Sequence, residues 1–337
     1  MTKTDTRRVA ETLAEIGRLA EAGCDLVRVA VPDSAAAAAL AEIRRESPVP
    51  IAADIHFDYR LALAALEAGA DKLRLNPGNI GSADRVRAVA RAAAERGVPV
   101  RVGANAGSVA EEDRERARGD AAAALVESAL RQARVLEEAG LRDIVVSVKA
   151  YDLPVMTAAY REMAARTDYP LHLGVTEAGA GLAGTVRSAA GIGSLLLDGI
   201  GDTIRVSLTG PAEDEVRTGR EILLATGART GLTLVSCPTC GRSTVDLAAL
   251  VAEVREALQG LDAPLRVAVM GCEVNGPGEA RDADVGVAVV GGRGFLFRRG
   301  RPVRRLGREE IVPALLKEVR RLAEEAATAV TPPGPGG

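Results

Sequence analysis

Residues 71–103, DKLRLNPGNIGSADRVRAVARAAAERGVPVRVG, contain one complete unit of the fold. Two short apolar runs, Lys72–Leu75 and Pro99–Gly103, flank SADRVRAVARAAAERG, a stretch of strong helix formers. The theme recurs on both sides. Further strand candidates are Leu26–Ala30, Pro50–Asp54, Asp143–Val148, Leu171–Val175 and Thr203–Ser207, with Ala-rich helical stretches such as SAAAAALAEIRRE between them. Strand–helix alternation of this kind predicts an α/β fold with a parallel sheet, of TIM (β/α)8-barrel type but one strand short of eight.

The pattern changes after residue 209. Residues 210–231 read as a helical connector. A smaller α+β domain then spans 232–328. It has an apolar strand ending in Ser236-Cys237, a helix near Thr244–Gln259, and strands at Leu265–Met270, Asp284–Val290 and Gly294–Arg298. An amphipathic helix at about Arg308–Ala326 closes it, and residues 329–337, ending in TPPGPGG, are expected to be disordered. The basic run Phe295–Arg305 reads as a solvated strand edge.

The chain has 337 residues, 47% of them hydrophobic and 26% charged, which suffices for a sizeable core. Aromatics make up 2% and Trp is absent, so the core rests on Ala, Val, Leu and Ile, and base-stacking platforms for nucleic acid are not expected. A net charge of −3 supplies no global basic field for nucleic acid or anionic membrane. No run approaches the roughly 20 apolar residues of a membrane-spanning helix. The start, MTKTDTRRVAE, lacks the apolar stretch of a signal peptide, so a cytoplasmic location is expected. Four cysteines there read as reduced thiols or metal ligands.

Many barrel strands end in polar or charged residues: Arg28, Asp54 with His56, Arg74, Arg101 with Asn105, Lys149, Glu177, and Arg205 with Ser207. The C-terminal ends of parallel barrel strands converge on one face, where such barrels place their sites. Five cations meeting there make an anion pocket, and the planar fork of Arg suits phosphate. Gly179-Ala-Gly181-Leu-Ala-Gly184 has dinucleotide-fingerprint spacing, but it falls late in the barrel. It reads better as small residues that let a helix start close to its strand.

Cys237 and Cys240 lie in SCPTCGR, and Cys272 lies in GCEVNGPGEA with Glu279 seven residues on. Three cysteines beside Gly and Pro turns read as a metal site, best as a four-iron, four-sulfur (4Fe-4S) cluster. Such a cluster leaves one iron without a thiolate, and Glu279 is the candidate for that position. Structural zinc, a thioredoxin-like pair at Cys237 and Cys240, and plain buried thiols are the alternatives. Cys24, between a helix and a strand, reads as a structural thiol. Two other functions stay open at this level: an iron–sulfur electron carrier without catalysis, and a zinc-dependent barrel enzyme acting on a phosphorylated sugar.

The segments VRVAVPD, ADIHFDYRLAL, DKLRLNPGNIG, RVGANAGS, SCPTCGR and GCEVNGPGEA resemble the 4-hydroxy-3-methylbut-2-enyl diphosphate synthase family of the non-mevalonate isoprenoid pathway. The resemblance covers almost the whole chain. It implies a TIM barrel followed by a small cluster domain similar to a module of nitrite and sulfite reductases. It implies a homodimer in which the cluster domain of one chain caps the barrel of the other. The implied substrate is 2-C-methyl-D-erythritol 2,4-cyclodiphosphate, with ferredoxin or flavodoxin as electron donor. By motif, Cys237, Cys240, Cys272 and Glu279 are the implied cluster ligands. Arg28, Arg74, Arg101, Lys149, Arg205 and Ser207 form the implied diphosphate cradle, and Glu177 is the implied acid at the reacting carbons. Asn275 is placed beside the cluster to orient substrate, and His56, Asn76 and Asn105 line the mouth. Met1-Thr2-Lys3-Thr4-Asp5-Thr6 matches the end of the family's V-Q-S-M-T-like first segment and the loop after it. The first strand is therefore expected to be missing, which leaves two strand edges open.

Overall fold

The computed structural model describes residues 1–76, 80, 82–238, 245–271 and 281–330. The chain divides into two compact units, Met1–Ala228 and Arg229–Gly337.

In the first unit, β1 (Val27–Ala30), β2 (Ile51–Asp54), β3 (Lys72–Arg74), β4 (Val100–Asn105) and β5 (Ile144–Lys149) form one parallel sheet in chain order. A bridge from Val146 to Leu171 carries the sheet on to the parallel pair β6 (His172–Leu173) and β7 (Thr203–Ile204). Helices α1 (Val9–Glu21), α2 (Ser34–Glu46), α3 (Tyr59–Glu67), α4 (Ala83–Arg96), α5 (Glu111–Arg116), α6 (Ala121–Glu138), α7 (Leu153–Arg166), α8 (Gly181–Leu197) and α9 (Ala212–Ala225) alternate with the strands. Among the described residues this gives seven strands, and no ladder joins β7 to β1. The amide of Thr2 donates to the Arg28 carbonyl (3.0 Å), on the open side of β1. The segment expected as a connector belongs to this first unit: α9 packs against α1 and α8, as the outer helices of a barrel do. Gly184 fulfils its small-residue reading, since a Cβ there would lie 2.7 Å from both the Gly179 carbonyl and Leu208 Cδ2.

The strands alternate with period two. Val27, Val29, Ile51, Ala53, Leu73, Val100, Val102, Ile144 and Val146 are at most 1% exposed and join the helix-side core. The intervening set is Arg28, Ala30, Ala52, Asp54, Lys72, Arg74, Arg101, Gly103, Asn105, Val145, Ser147 and Lys149, and it points to the opposite face. Most barrels of this class fill their interior with branched apolar layers. Here the interior row is charged, polar or small, Val145 apart.

In the second unit, β8 (Thr233–Ser236), β9 (Arg266–Met270) and β10 (Val285–Val290) are parallel. β11 (Arg293–Arg298) and β12 (Arg301–Leu306) continue the sheet antiparallel, in the order β12-β11-β10-β9-β8. Helix α10 (Leu247–Ala257), with the Asp246 carboxylate accepting from the Ala249 amide, and helix α11 (Ile311–Val330) supply Leu247, Val254, Ile311, Leu315 and Val319 to a core with Val267, Val285 and Val287. The expected single basic edge from 295 to 305 is a hairpin. Arg299 and Gly300 have φ of 44° and 73°, the two positive values of a type I′ turn. β12 is thus an additional strand, exposed over its first five residues, and its arginines and Pro302 suit an unpaired edge. The tail 331–337 lies outside the described residues. No described helix is long and apolar enough to cross a membrane.

Candidate active site

The interior row of the first unit places the cations together. Arg28 lies in β1, Arg74 ends β3, Lys149 ends β5, and Arg205 follows β7. Arg101 was expected near a strand end, but β4 runs on to Asn105, so Arg101 is its second residue and pairs in register with Arg74. Arg28, Arg74, Arg101 and Arg205 line one cavity of about 370 Å³, together with Lys72 and His172. Lys149 packs beside it against Gly174, where a Cβ would meet Lys149 Nζ at 2.7 Å and the Arg205 carbonyl at 2.8 Å. Gly103 has a matching function: a Cβ there would meet Ser147 Oγ at 2.2 Å, and that hydroxyl accepts from Arg101 Nη1 (3.1 Å).

The crowding shows in the titration of these groups. Burial first, then repulsion from Arg28 and Arg74, pulls Arg101 down to about 9. Burial lowers Arg28 to about 10, against the pull of Asp54. Lys149 falls well below its ordinary value through burial and then through Arg101, Arg205, Arg28 and Arg74. Burial, followed by Lys149 and Arg101, keeps His172 neutral, with its Nδ1 2.9 Å from the Thr203 hydroxyl. Nε of Arg28 and Nε of Arg205 are buried without hydrogen-bond partners. Buried donors left open amid like charges fit an anion of two or more charges.

The remaining candidates in this unit separate into two groups. His56 joins the cluster through its ring: Nε2 lies 3.4 Å from Asp54 Oδ2, and Nδ1 lies 3.3 Å from Arg74 Nη1. Asn76, Asn105 and Ser207 are half-buried at the same strand ends but do not line the cavity. Glu177 is exposed in the turn after β6, and its φ is +54°, a left-handed conformation that is uncommon for a side chain of this size. Ser147, Lys72, Gly103 and Gly174 are the contributors that the reading of strand ends missed; Asp54 is legible as a strand-end residue, but its ion pairs are not. The period-two polar rows VRVA, IAAD, KLR, VRVGAN and IVVSVK held that signal.

In the second unit Cys237 follows β8 directly, and its Sγ accepts the amide of Gly271, just past the end of β9, at 3.2 Å. Cys272 is the next residue in the sequence. A backbone N–H aimed at sulfur suits a thiolate ligand of an anionic iron–sulfur cluster, and the C-terminal ends of adjacent parallel strands are a usual ligand position. Cys240, Cys272, Asn275 and Glu279 lie outside the described residues, and among the described ones no group of three metal-binding side chains assembles. Cys24 is half-buried; burial raises its pKa and its thiol donates to the Leu26 carbonyl.

Residues 1–220 match the GcpE TIM-barrel domain and residues 233–321 match the GcpE protein C-terminal domain. The chain belongs to the GcpE family. It is 56% identical over 326 residues to 4-hydroxy-3-methylbut-2-en-1-yl diphosphate synthase (flavodoxin) of Geobacter sulfurreducens, covering 96% of this chain and 92% of that one. The enzyme of the same name from Anoxybacillus flavithermus is 52% identical over 329 residues, 97% and 90% of the two chains. That of Bacillus subtilis is 51% identical over 326 residues, 96% and 86%.

Proposed function

We infer that this GcpE-family chain is an oxidoreductase of isoprenoid precursor biosynthesis. It reductively opens 2-C-methyl-D-erythritol 2,4-cyclodiphosphate to 4-hydroxy-3-methylbut-2-enyl diphosphate. The observation that carries the reading is the polar barrel interior, where Arg28, Arg74, Arg101 and Arg205 face one cavity with buried donors open. A cyclic diphosphate matches that charge and shape through bidentate guanidinium contacts. The names of the relatives support flavodoxin as the electron donor.

The chain's own residues divide the work. Arg28, Arg74, Arg101, Lys149, Arg205 and Ser207 bind the two phosphates and fix the ring. Burial strengthens these contacts relative to water. Asn105, Asn275 and His56 orient the carbon skeleton at the mouth. Glu177 supplies a proton to the departing hydroxyl beside the reacting carbons. The balance needs two electrons and two protons: the ring C–O bond to phosphate breaks, and a hydroxyl leaves as water. Cys237, Cys240, Cys272 and Glu279 are the residues that would hold a 4Fe-4S cluster, in a domain the resemblance likens to the nitrite and sulfite reductase module. Such a cluster would supply the electrons one at a time and a Lewis-acidic iron.

The deciding measurement is iron and acid-labile sulfide per chain in protein purified without oxygen, followed by turnover of the cyclodiphosphate with reduced flavodoxin. About four of each, with turnover, is the expected result. One zinc and little iron would overturn the cluster. A loaded cluster with no turnover would leave an electron carrier.

A further inference from the structure

The cradle of cations contains a carboxylate that meets its arginines directly. Asp54, the last residue of β2, has a side chain only 3% exposed. Its Oδ1 accepts from Arg74 Nη1 at 3.2 Å, and its Oδ2 lies 3.6 Å from Arg28 Nε and 3.4 Å from His56 Nε2. Arg74 has only donors to offer His56 Nδ1, so that nitrogen accepts and Nε2–H is left facing Asp54. Two arginines from different strands and one imidazole are thus gathered on a single carboxylate.

The spacing differs from that of a finished ion pair. Charge-assisted N–H···O bonds close to about 2.7–2.9 Å. Those of Asp54 stay longer, and Nε of Arg28 and of Arg205 keep no hydrogen-bond partner. Asp54 therefore takes one hydrogen bond, from Arg74 Nη1, and supplies charge while leaving Nε of Arg28 and of Arg205 open. Two other carboxylates lining the cavity have different tasks: Asp202 accepts the Leu171 amide and Glu215 the Leu208 amide.

We propose that Asp54 is a positioning residue, the resident counter-ion that holds Arg28, Arg74 and His56 in their anion-binding arrangement until an entering diphosphate takes over its charge. This rests on the reading of the cavity as a diphosphate cradle. Removing the carboxylate leaves buried cations uncompensated, which destabilises the empty barrel. An added anion then restores what was lost. A carboxylate with a merely structural role would not be replaced by an anion in solution.

The test uses the cluster-loaded enzyme and its Asp54→Asn variant, melted with and without inorganic pyrophosphate. The variant is expected to melt several degrees lower without anion, and pyrophosphate is expected to raise its melting temperature more than it raises the wild type's. If pyrophosphate stabilises the wild type but not the variant more strongly, or if the variant melts unchanged, Asp54 is not the counter-ion. If pyrophosphate stabilises neither, the cradle reading falls and this proposal with it. Should Asp54→Asn fail to fold, Asp54→Asn/Arg74→Gln restores the charge balance and is expected to fold. An insoluble double variant would overturn the proposal.

Discussion

Glu177 holds a left-handed backbone at φ +54° in an exposed turn, a conformation that costs on the order of 1–3 kcal/mol and favours glycine. An exposed loop residue could be replaced by Gly without loss of packing, and the proposed proton-donor role would account for a Glu here. Glu177→Gly is expected to raise the melting temperature while abolishing turnover. Glu177→Gln is expected to lower kcat roughly 100-fold, the scale of general acid catalysis, with iron content unchanged. Full activity in Glu177→Gln removes Glu177 from the mechanism. Lys149 carries a pH signature. Its folded pKa lies well below the ordinary 10.5, chiefly through burial, so between the two values the unfolded chain binds more protons than the folded one. Stability must then rise with pH across that window, and Arg101 and Arg28, lowered to about 9 and about 10, act in the same direction. A bound anion raises these pKa values and flattens the slope. Melting temperatures between about pH 8 and 10, with and without pyrophosphate, read this directly. A slope that pyrophosphate leaves unchanged would place Lys149 outside the cradle.

At the level of the strand, one period-two pattern builds both the core and the site. Val100 and Val102 face the helices while Arg101, Gly103 and Asn105 face inward, so a shift of one residue would exchange them. Register is secured by carboxylates at strand starts: Asp71 accepts the Ile51 amide, Asp202 the Leu171 amide and Asp284 the Arg266 amide. Gly103 is a packing requirement of the same kind, because an Ala Cβ would lie 2.0 Å from the Ser147 carbonyl. Gly103→Ala is expected to destabilise by about 1–3 kcal/mol. Gly17→Ala, in α1 with open space around the new Cβ, is expected to stabilise by about 1 kcal/mol. Equal melting temperatures for the two variants would contradict the close approach of β4 and β5. These elements show what the sequence allowed and what it hid. Every barrel strand was visible as a short apolar run, and the cations were visible as its polar members. The hairpin at Arg299-Gly300 was not, because an Arg in a left-handed turn carries no turn signature of its own. Asp54 was visible as a strand-end residue, but its partners on β1 and β3 depend on register across strands, which local sequence does not contain.

The whole chain divides its functions between units: the cations lie within Met1–Ala228, and Cys237 with the other cluster candidates lies within Arg229–Gly337. In the proposed reaction both act on one substrate molecule. The family resemblance supplies a homodimer in which the barrel of one chain works with the cluster domain of the other, and that arrangement has a consequence no single variant shows. Arg101→Ala should raise KM strongly, and Cys272→Ser should lose iron and activity together. At substrate concentrations near the wild-type KM each has little activity alone, yet each keeps one intact half. If sites form between chains, a mixed dimer joins the barrel of the Cys272→Ser chain to the cluster domain of the Arg101→Ala chain and restores one site. Refolding or co-expressing the two in equal amounts would make half the dimers mixed, each with one working site of two, so about a quarter of wild-type activity should return. If barrel and cluster domain of the same chain cooperate, every chain in the mixture carries a defect at its own site. Activity then stays at the sum of the two variants measured apart, and the crossed arrangement is refuted.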